Sequence, residues 1–380
     1  MKRTLMIASL GAAVLALSGG AASAAGARAH AKAAAPAAAH VTVFATGFNN
    51  PRGLTFGPDG NLYVAEGGLG GHHSTVGKCR QASGAAAPYL GSSHNPVLGG
   101  RVSKVTPDGT VSTVVDALPS SQTSAALGSL VSGVSSVAFV GHRMYALLAG
   151  AGCSHGVPNI PNGVIRVRPD GSWHMIANLS RFQRSHPVKN PEAEDFEPDG
   201  TWFSMTSFDG KLFPMDSNHG ELDRVSRRGH ISRVIDISAK VGHVVPTALT
   251  PIGGTARHPS MFIGNLGLFG PADGAVPNEH VYRLTRGGNL RVRASGLEQV
   301  VGVVRRDGML YALELASTPG GPTPGTGEIV RVRRGAAPKT VVSGLTFPTG
   351  IAVGPDGAFY VSNQGFGFGA GQGQVLRITL

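Results

Sequence analysis

Six positions in the 380-residue chain share one local context, the third residue after an aromatic in a short apolar run. After Tyr63, Tyr145, Phe213, Phe262, Tyr311 and Tyr360 they hold Glu66, Leu148, Asp216, Asn265, Glu314 and Asn363. Five of the six side chains end in oxygen, the donor type that a hard cation such as calcium accepts. On this basis Glu66, Asp216, Asn265, Glu314 and Asn363 are candidate metal ligands, with Ca as the expected ion. The competing role is local, because Asp and Asn at strand ends also bond loop backbone.

A second polar group surrounds the Asp216 position. NPEAEDFEPDGTW brings Glu192, Glu194, Asp195, Glu197 and Asp199, and Asp216-Ser217-Asn218-His219-Gly220-Glu221 follows. In a chain of net charge +11 such local acidity suits a cation or a cationic ligand. Asp199, Asn218, His219 and Glu221 are the candidate ligand-binding residues. His219 is the candidate general base beside Asp216 or Glu221. No G-x-S-x-G elbow, H-E-x-x-H or P-loop is found in the sequence, so no catalytic residue is assigned.

The elements that position these residues recur. PRGLTFGPDGNLYVAE, from Pro51 to Glu66, reads as a strand, a Pro-Asp-Gly turn and a second strand. It has five echoes, at Val134–Leu148, Pro198–Asp216, Pro246–Asn265, Val301–Glu314 and Pro348–Asn363. Each is followed by a second hairpin, starting at Gly100, Gly163, Gly220, His280 and Gly327, except that the last unit offers only GQVLRITL from Gly373. Four-stranded units of about 57 residues repeated six times predict an all-β, six-bladed β-propeller. The last unit lacks its fourth strand, and HVTVFATGF, from His40 to Phe48, is predicted to supply it and close the ring.

Composition agrees. Gly at 56 residues and Pro at 25, with 14% charged residues, favour short strands and many turns over helices. A cation recurs once per second hairpin, at Lys104, Arg166, Arg224, Arg283, Arg331 and Arg377. Repeated radially, these stems are expected to pack between blades with their heads in water. No aromatic-interleaved basic groove accompanies them, so no nucleic-acid partner is expected.

Residues 1–24 carry Lys2-Arg3, an apolar run and Ala22-Ser23-Ala24, the pattern of a secretory signal. Residues 25–40 read as an Ala-rich flexible leader and residues 41–380 as the propeller. The chain is expected to be secreted and monomeric, without a transmembrane segment, its partner a small molecule or an extracellular protein. Export favours a disulfide between Cys79 and Cys153, which lie in loops at equivalent positions of adjacent blades.

The stretch NNPRGLTFGPDGNLYVAEGG with DGTWFSM, SNHGELDRV, DIS, GHVVPTAL and FIGNLG resembles the secreted ScyD/ScyE family across Val41 to Leu380. The resemblance implies a six-bladed propeller of the NHL and gluconolactonase-like kind, with no reaction assigned to the family as a whole. Metal-dependent lactonases of that wider fold group use carboxylate and Asn ligands on the top face, and Glu66, Asp216, Asn265 and Asn363 are of suitable type. The third unit departs from the pigment-cluster members at Glu194-Asp195-Phe196-Glu197-Pro198-Asp199. The leading expectation is a ligand- or partner-binding propeller, and the alternative is a metal-dependent hydrolase or lactonase.

Overall fold

A computed structural model describes residues 39–83, 88–123, 131–191, 193, 196–267, 279–317 and 322–380. Nearly all of the signal and leader segments, and Glu192, Glu194 and Asp195, lie outside the described residues.

The described chain is all-β, with six large four-stranded antiparallel sheets in chain order. Sheet 1 comprises Pro51–Phe56, Leu62–Glu66, Gly100–Val105 and Val111–Leu118. Sheet 2 comprises Val134–Val140, Arg143–Leu148, Gly163–Val167 and Trp173–Asn178. Sheet 3 comprises Trp202–Phe208, Lys211–Asp216, Glu221–Val225 and Ile231–Asp236. Sheet 4 comprises Pro246–Gly254, Pro259–Asn265, Val281–Leu284 and Leu290–Ala294. Sheet 5 comprises Val300–Arg306, Met309–Glu314, Gly327–Val332 and Lys339–Leu345. Sheet 6 runs Gly350–Val353, Phe359–Asn363 and Gly373–Thr379, and its fourth strand is His40–Phe48 from the other end of the chain. That strand pairs antiparallel with Gly373–Thr379, from His40 opposite Thr379 to Phe48 opposite Gly373.

Alternation along each strand turns apolar side chains to both sheet faces, and neighbouring sheets bury them against one another. Six clusters result. Tyr63, Val102 and Val115 of sheet 1 meet Val134, Ala146 and Ile165 of sheet 2. Equivalent clusters join sheets 2 and 3, 3 and 4, 4 and 5, and 5 and 6. The sixth packs Phe48, Tyr360 and Val375 of sheet 6 on Leu54, Leu62 and Val105 of sheet 1.

Hydroxyls of sheets 2, 3, 4 and 6 donate to carbonyls of the next sheet, which satisfies backbone that an edge strand would leave open. Ser136 donates to Met205 O at 3.1 Å, Ser217 to Pro246 O at 2.6 Å and Thr349 to Pro51 O at 2.6 Å. Gly350 permits the last of these approaches, since a Cβ there would sit 2.6 Å from Arg52 O.

Two features escape the strand pattern. Short helices, Leu179–Ser185 and Ser238–Val241, follow sheets 2 and 3, the first capped by Asn178 accepting the Arg181 N–H at 2.8 Å. A seventh, small sheet links His73–Ser74, Leu90–Ser92, Ser120–Gln122 and Val131–Ser132. The disulfide between Cys79 and Cys153 is formed, with Cα atoms 6.3 Å apart. Among the described residues no helix is long and apolar enough to cross a membrane.

Candidate functional site

The five oxygen-bearing positions sit at the ends of the second strands of five different sheets, and each holds the chain that enters its own sheet. Glu66 Oε2 accepts the Asn49 N–H at 2.6 Å, while Oε1 receives Arg101 Nε at 2.8 Å and Ser103 Oγ at 2.5 Å. Asp216 Oδ1 accepts the N–H groups of Thr201, Asn218 and His219 at 3.3, 3.0 and 3.2 Å. Asn265 donates to Val244 O at 2.9 Å and accepts the His280 N–H at 2.7 Å. Glu314 accepts the Glu298 N–H at 3.2 Å, and Asn363 the Thr346 N–H at 2.8 Å. All five are buried. Among the described residues no three His, Cys, Asp or Glu side chains form a group that could hold a metal ion.

Sheet 3 gathers the other four candidates, and all are buried under the loops. Asp199 Oδ2 accepts the Ser154 N–H and Oγ–H, both at 2.8 Å, and Oδ1 faces Arg184 Nη1 at 3.0 Å. Asn218 accepts the Glu197 N–H at 3.0 Å. His219 Nδ1 lies 3.1 Å from Asp216 Oδ2 and also meets the Gln183 amide. Glu221 pairs with Arg233. Burial, then the charges of Asp223 and Asp216, pushes the Glu221 carboxyl up to about 9. Burial pushes Asp223 up to about 7, and both of its oxygens are without a hydrogen-bond partner among the described residues.

The open space lies elsewhere, in a central cavity of about 1050 Å³ walled by the first strands of all six large sheets. Its lining is largely apolar and hydroxylic, with Phe203, Leu266, Leu315 and Phe366 among the apolar contributors. Tyr89 also lines it, held by a hydrogen bond to Glu197 Oε1 at 2.8 Å and by His155, whose ring centre is 4.7 Å away. Burial lowers His155 to about 4, so this ring is neutral at pH 7.

Arg52 is the one charged side chain among the described residues lining the cavity. Its Nη2 donates to Val131 O, and the guanidinium carbon stands 6.0 Å from the Phe366 ring centre. No carboxylate among the described residues pairs with it. Burial lowers it to about 10, which leaves a full cation at pH 7. A guanidinium carries five donors, and the bond to Val131 O uses one of them. The side chain is half-buried, and it borders the cavity.

Sequence reasoning passed over Arg52, although the repeat marks it. Where Pro51-Arg52-Gly53 stands in the first unit, its near copy has Pro348-Thr349-Gly350, and the fourth has Pro246-Thr247-Ala248. A cation replacing a hydroxyl at one copy of a repeated position is the legible signal.

No protein-family model and no curated protein matches the chain. Solved structures do. An oxidoreductase (glucose dehydrogenase) from Thermus thermophilus aligns over 90% of this chain and 100% of its own, with a TM-score of 0.53 and 16% identity. A gluconolactonase from Xanthomonas campestris aligns over 90% of this chain and 89% of its own, with a TM-score of 0.52 and 11% identity. These likenesses are likenesses of fold, and they place the chain's architecture beside gluconolactonase-like and sugar dehydrogenase propellers.

Proposed function

We propose that the chain is an exported six-bladed β-propeller that holds a small organic acid in its central cavity, with the acid's apolar body in the channel and its carboxylate on Arg52. The observation that carries this is Arg52 itself, a cation without an acid partner among the described residues, bordering a cavity of about 1050 Å³. A half-buried guanidinium gains most from a planar oxyanion that it can meet with two parallel hydrogen bonds. The aromatic and aliphatic lining favours a ligand with apolar area to bury.

Closure of the six sheets into a ring is supported by the cluster between sheets 6 and 1 and by the Thr349 bond to Pro51 O. Export is supported by the signal pattern of residues 1–24 and by the disulfide. One chain encloses the cavity, so a monomer suffices. Membership of the ScyD/ScyE family rests on the sequence motifs. The rim oxygens, bonded to entering backbone, are assigned to holding the loops rather than to calcium. The alternative is a lactonase, as the Xanthomonas campestris gluconolactonase of similar fold is.

Equilibrium binding of naphthalene-2-carboxylate and of its primary amide tests the assignment. The acid is expected to bind about tenfold or more tightly than the amide, the size of a charge-assisted hydrogen bond. Arg52→Met should abolish the preference and leave amide binding in place, and Arg52→Lys should keep part of it. Equal affinities in the unaltered protein remove Arg52 from the account. Absence of binding by both compounds overturns the cavity as a ligand site.

A further inference from the structure

The cations of the third strands do not all end in the same surroundings. Five stand opposite the second-strand aromatic in register, as Tyr63 with Lys104, Tyr145 with Arg166, Phe262 with Arg283, Tyr311 with Arg331 and Tyr360 with Arg377. In sheet 6 the cation has an acid, because Asp356 of the Pro-Asp-Gly turn meets Arg377 Nη2 at 2.8 Å. In sheet 4 the matching turn, Thr255-Ala256-Arg257-His258, carries no acid. In sheet 5 the turn acid, Asp307, pairs with Arg306 instead, at 3.3 Å.

Between sheets 4 and 5 lies a cleft of about 550 Å³ lined by Arg283, Arg293, Arg305, Arg331, Arg333 and Arg334. No Asp or Glu lines it among the described residues, and none of the six arginines forms an ion pair there. Arg293 Nη1 is buried without a hydrogen-bond partner among the described residues. The bonds these heads do make are weak or local, such as Arg331 to Met309 Sδ at 3.6 Å and Arg333 Nε to Ala337 O at 3.0 Å. Six like charges around one opening raise the local potential and repel one another until an anion neutralises them.

We infer that this cleft binds a small molecule carrying two or more phosphate groups, at a site separate from the central cavity. Guanidinium groups pair bidentately with phosphate oxygens, and several of them together select more than one negative charge. The site stands independently of the organic acid assigned to Arg52, which lines a different opening.

Calorimetry of the full chain with inorganic pyrophosphate at low salt tests it, with sulfate and acetate as arms of lower charge. Pyrophosphate is expected to bind at least tenfold more tightly than sulfate, with acetate weaker still, and to weaken as salt is raised from about 50 to 300 mM. The double variant Arg293→Gln with Arg331→Gln should lose tenfold or more in affinity while still binding naphthalene-2-carboxylate as the unaltered protein does. Arg305→Gln with Arg334→Gln, on exposed heads, gives the same reading if the first pair fails to fold. Pyrophosphate affinity no better than sulfate, or unchanged in folded variants, overturns the site. Tighter binding of a single-stranded oligonucleotide, abolished by the same variants, also overturns it in favour of a nucleic acid.

Discussion

Glu66 Oε1 receives Arg101 Nε at 2.8 Å, with the carboxylate fully buried and the guanidinium near the surface. Together with the Asn49 N–H on Oε2, this uses both oxygens of a residue whose type and position suggested a metal ligand. The pair ties the second and third strands of sheet 1 to the chain that enters it.

Removing that charge should therefore cost stability. Glu66→Gln is expected to lower stability by about 2–3 kcal/mol, since the charge of a fully buried, hydrogen-bonded carboxylate is lost, and to leave the affinity for naphthalene-2-carboxylate unchanged. Denaturant melts and the binding assay check the two halves. Millimolar calcium is expected to leave the Tm of the unaltered protein where it was, and a rise of several degrees would restore the rim as an ion site.

The buried Glu314 gives a pH test. Burial is the main cause that pushes its carboxyl up to about 9, with the neighbouring Glu328 and Glu298 adding to it. The folded state therefore holds a proton that the unfolded state releases above its ordinary carboxylate range. Stability from this group is fully present below about pH 4.5 and is lost as pH rises towards 9. Glu314→Gln should flatten this fall, so that variant minus unaltered Tm grows from pH 5 to pH 9. A difference that shrinks over that interval contradicts the assignment.

Reduction of Cys79–Cys153 should be expensive, because it opens a loop spanning 74 residues in sequence. The chain-entropy account predicts a loss of about 4 kcal/mol. Unfolding with and without reductant measures it, and Cys79→Ser with Cys153→Ser should match the reduced protein.

Ring closure is tested by the strand His40–Phe48. A protein beginning at Asn49 would leave Gly373–Thr379 as an open edge and strip Phe48 from the cluster between sheets 6 and 1. It is expected to aggregate or to unfold without cooperativity. A monomeric, cooperative protein of unchanged Tm would show that closure contributes little.

Strain at Val245 gives a stabilising variant. Val245 has φ +52 and precedes Pro246, a conformation that a β-branched residue in that place strongly disfavours. Val245→Gly is expected to gain up to about 1 kcal/mol, the strain released exceeding the entropy that glycine loses on folding. Thermal melts measure it.

Much of the fold was legible because its strands alternate and its turns repeat. Pro58-Asp59-Gly60 and Pro355-Asp356-Gly357 announce the hairpins, and the match of His40–Phe48 to the missing strand follows from counting. The small sheet was not legible, since strands of two or three residues such as His73–Ser74 are too short to show a period. The helix Leu179–Ser185 spans under two turns and hides for the same reason. At the site, residue type alone leaves two roles open for a chemical cause, because an oxygen that can bind calcium is also an oxygen that accepts a backbone N–H. Asp199, Asn218, His219 and Glu221 are near one another in sequence, yet their burial depends on loops far away in it, as in the 45-residue separation of Ser154 and Asp199. Arg52 was hidden by the opposite fault, standing as a single cation in an otherwise ordinary hairpin.

The most direct measurement is a crystal structure of the protein saturated with naphthalene-2-carboxylate. The account predicts the naphthalene ring in the central cavity and both carboxylate oxygens about 2.7–2.9 Å from the Arg52 guanidinium. An empty cavity at saturation, or a ring seated there with its carboxylate turned away from Arg52, would contradict it.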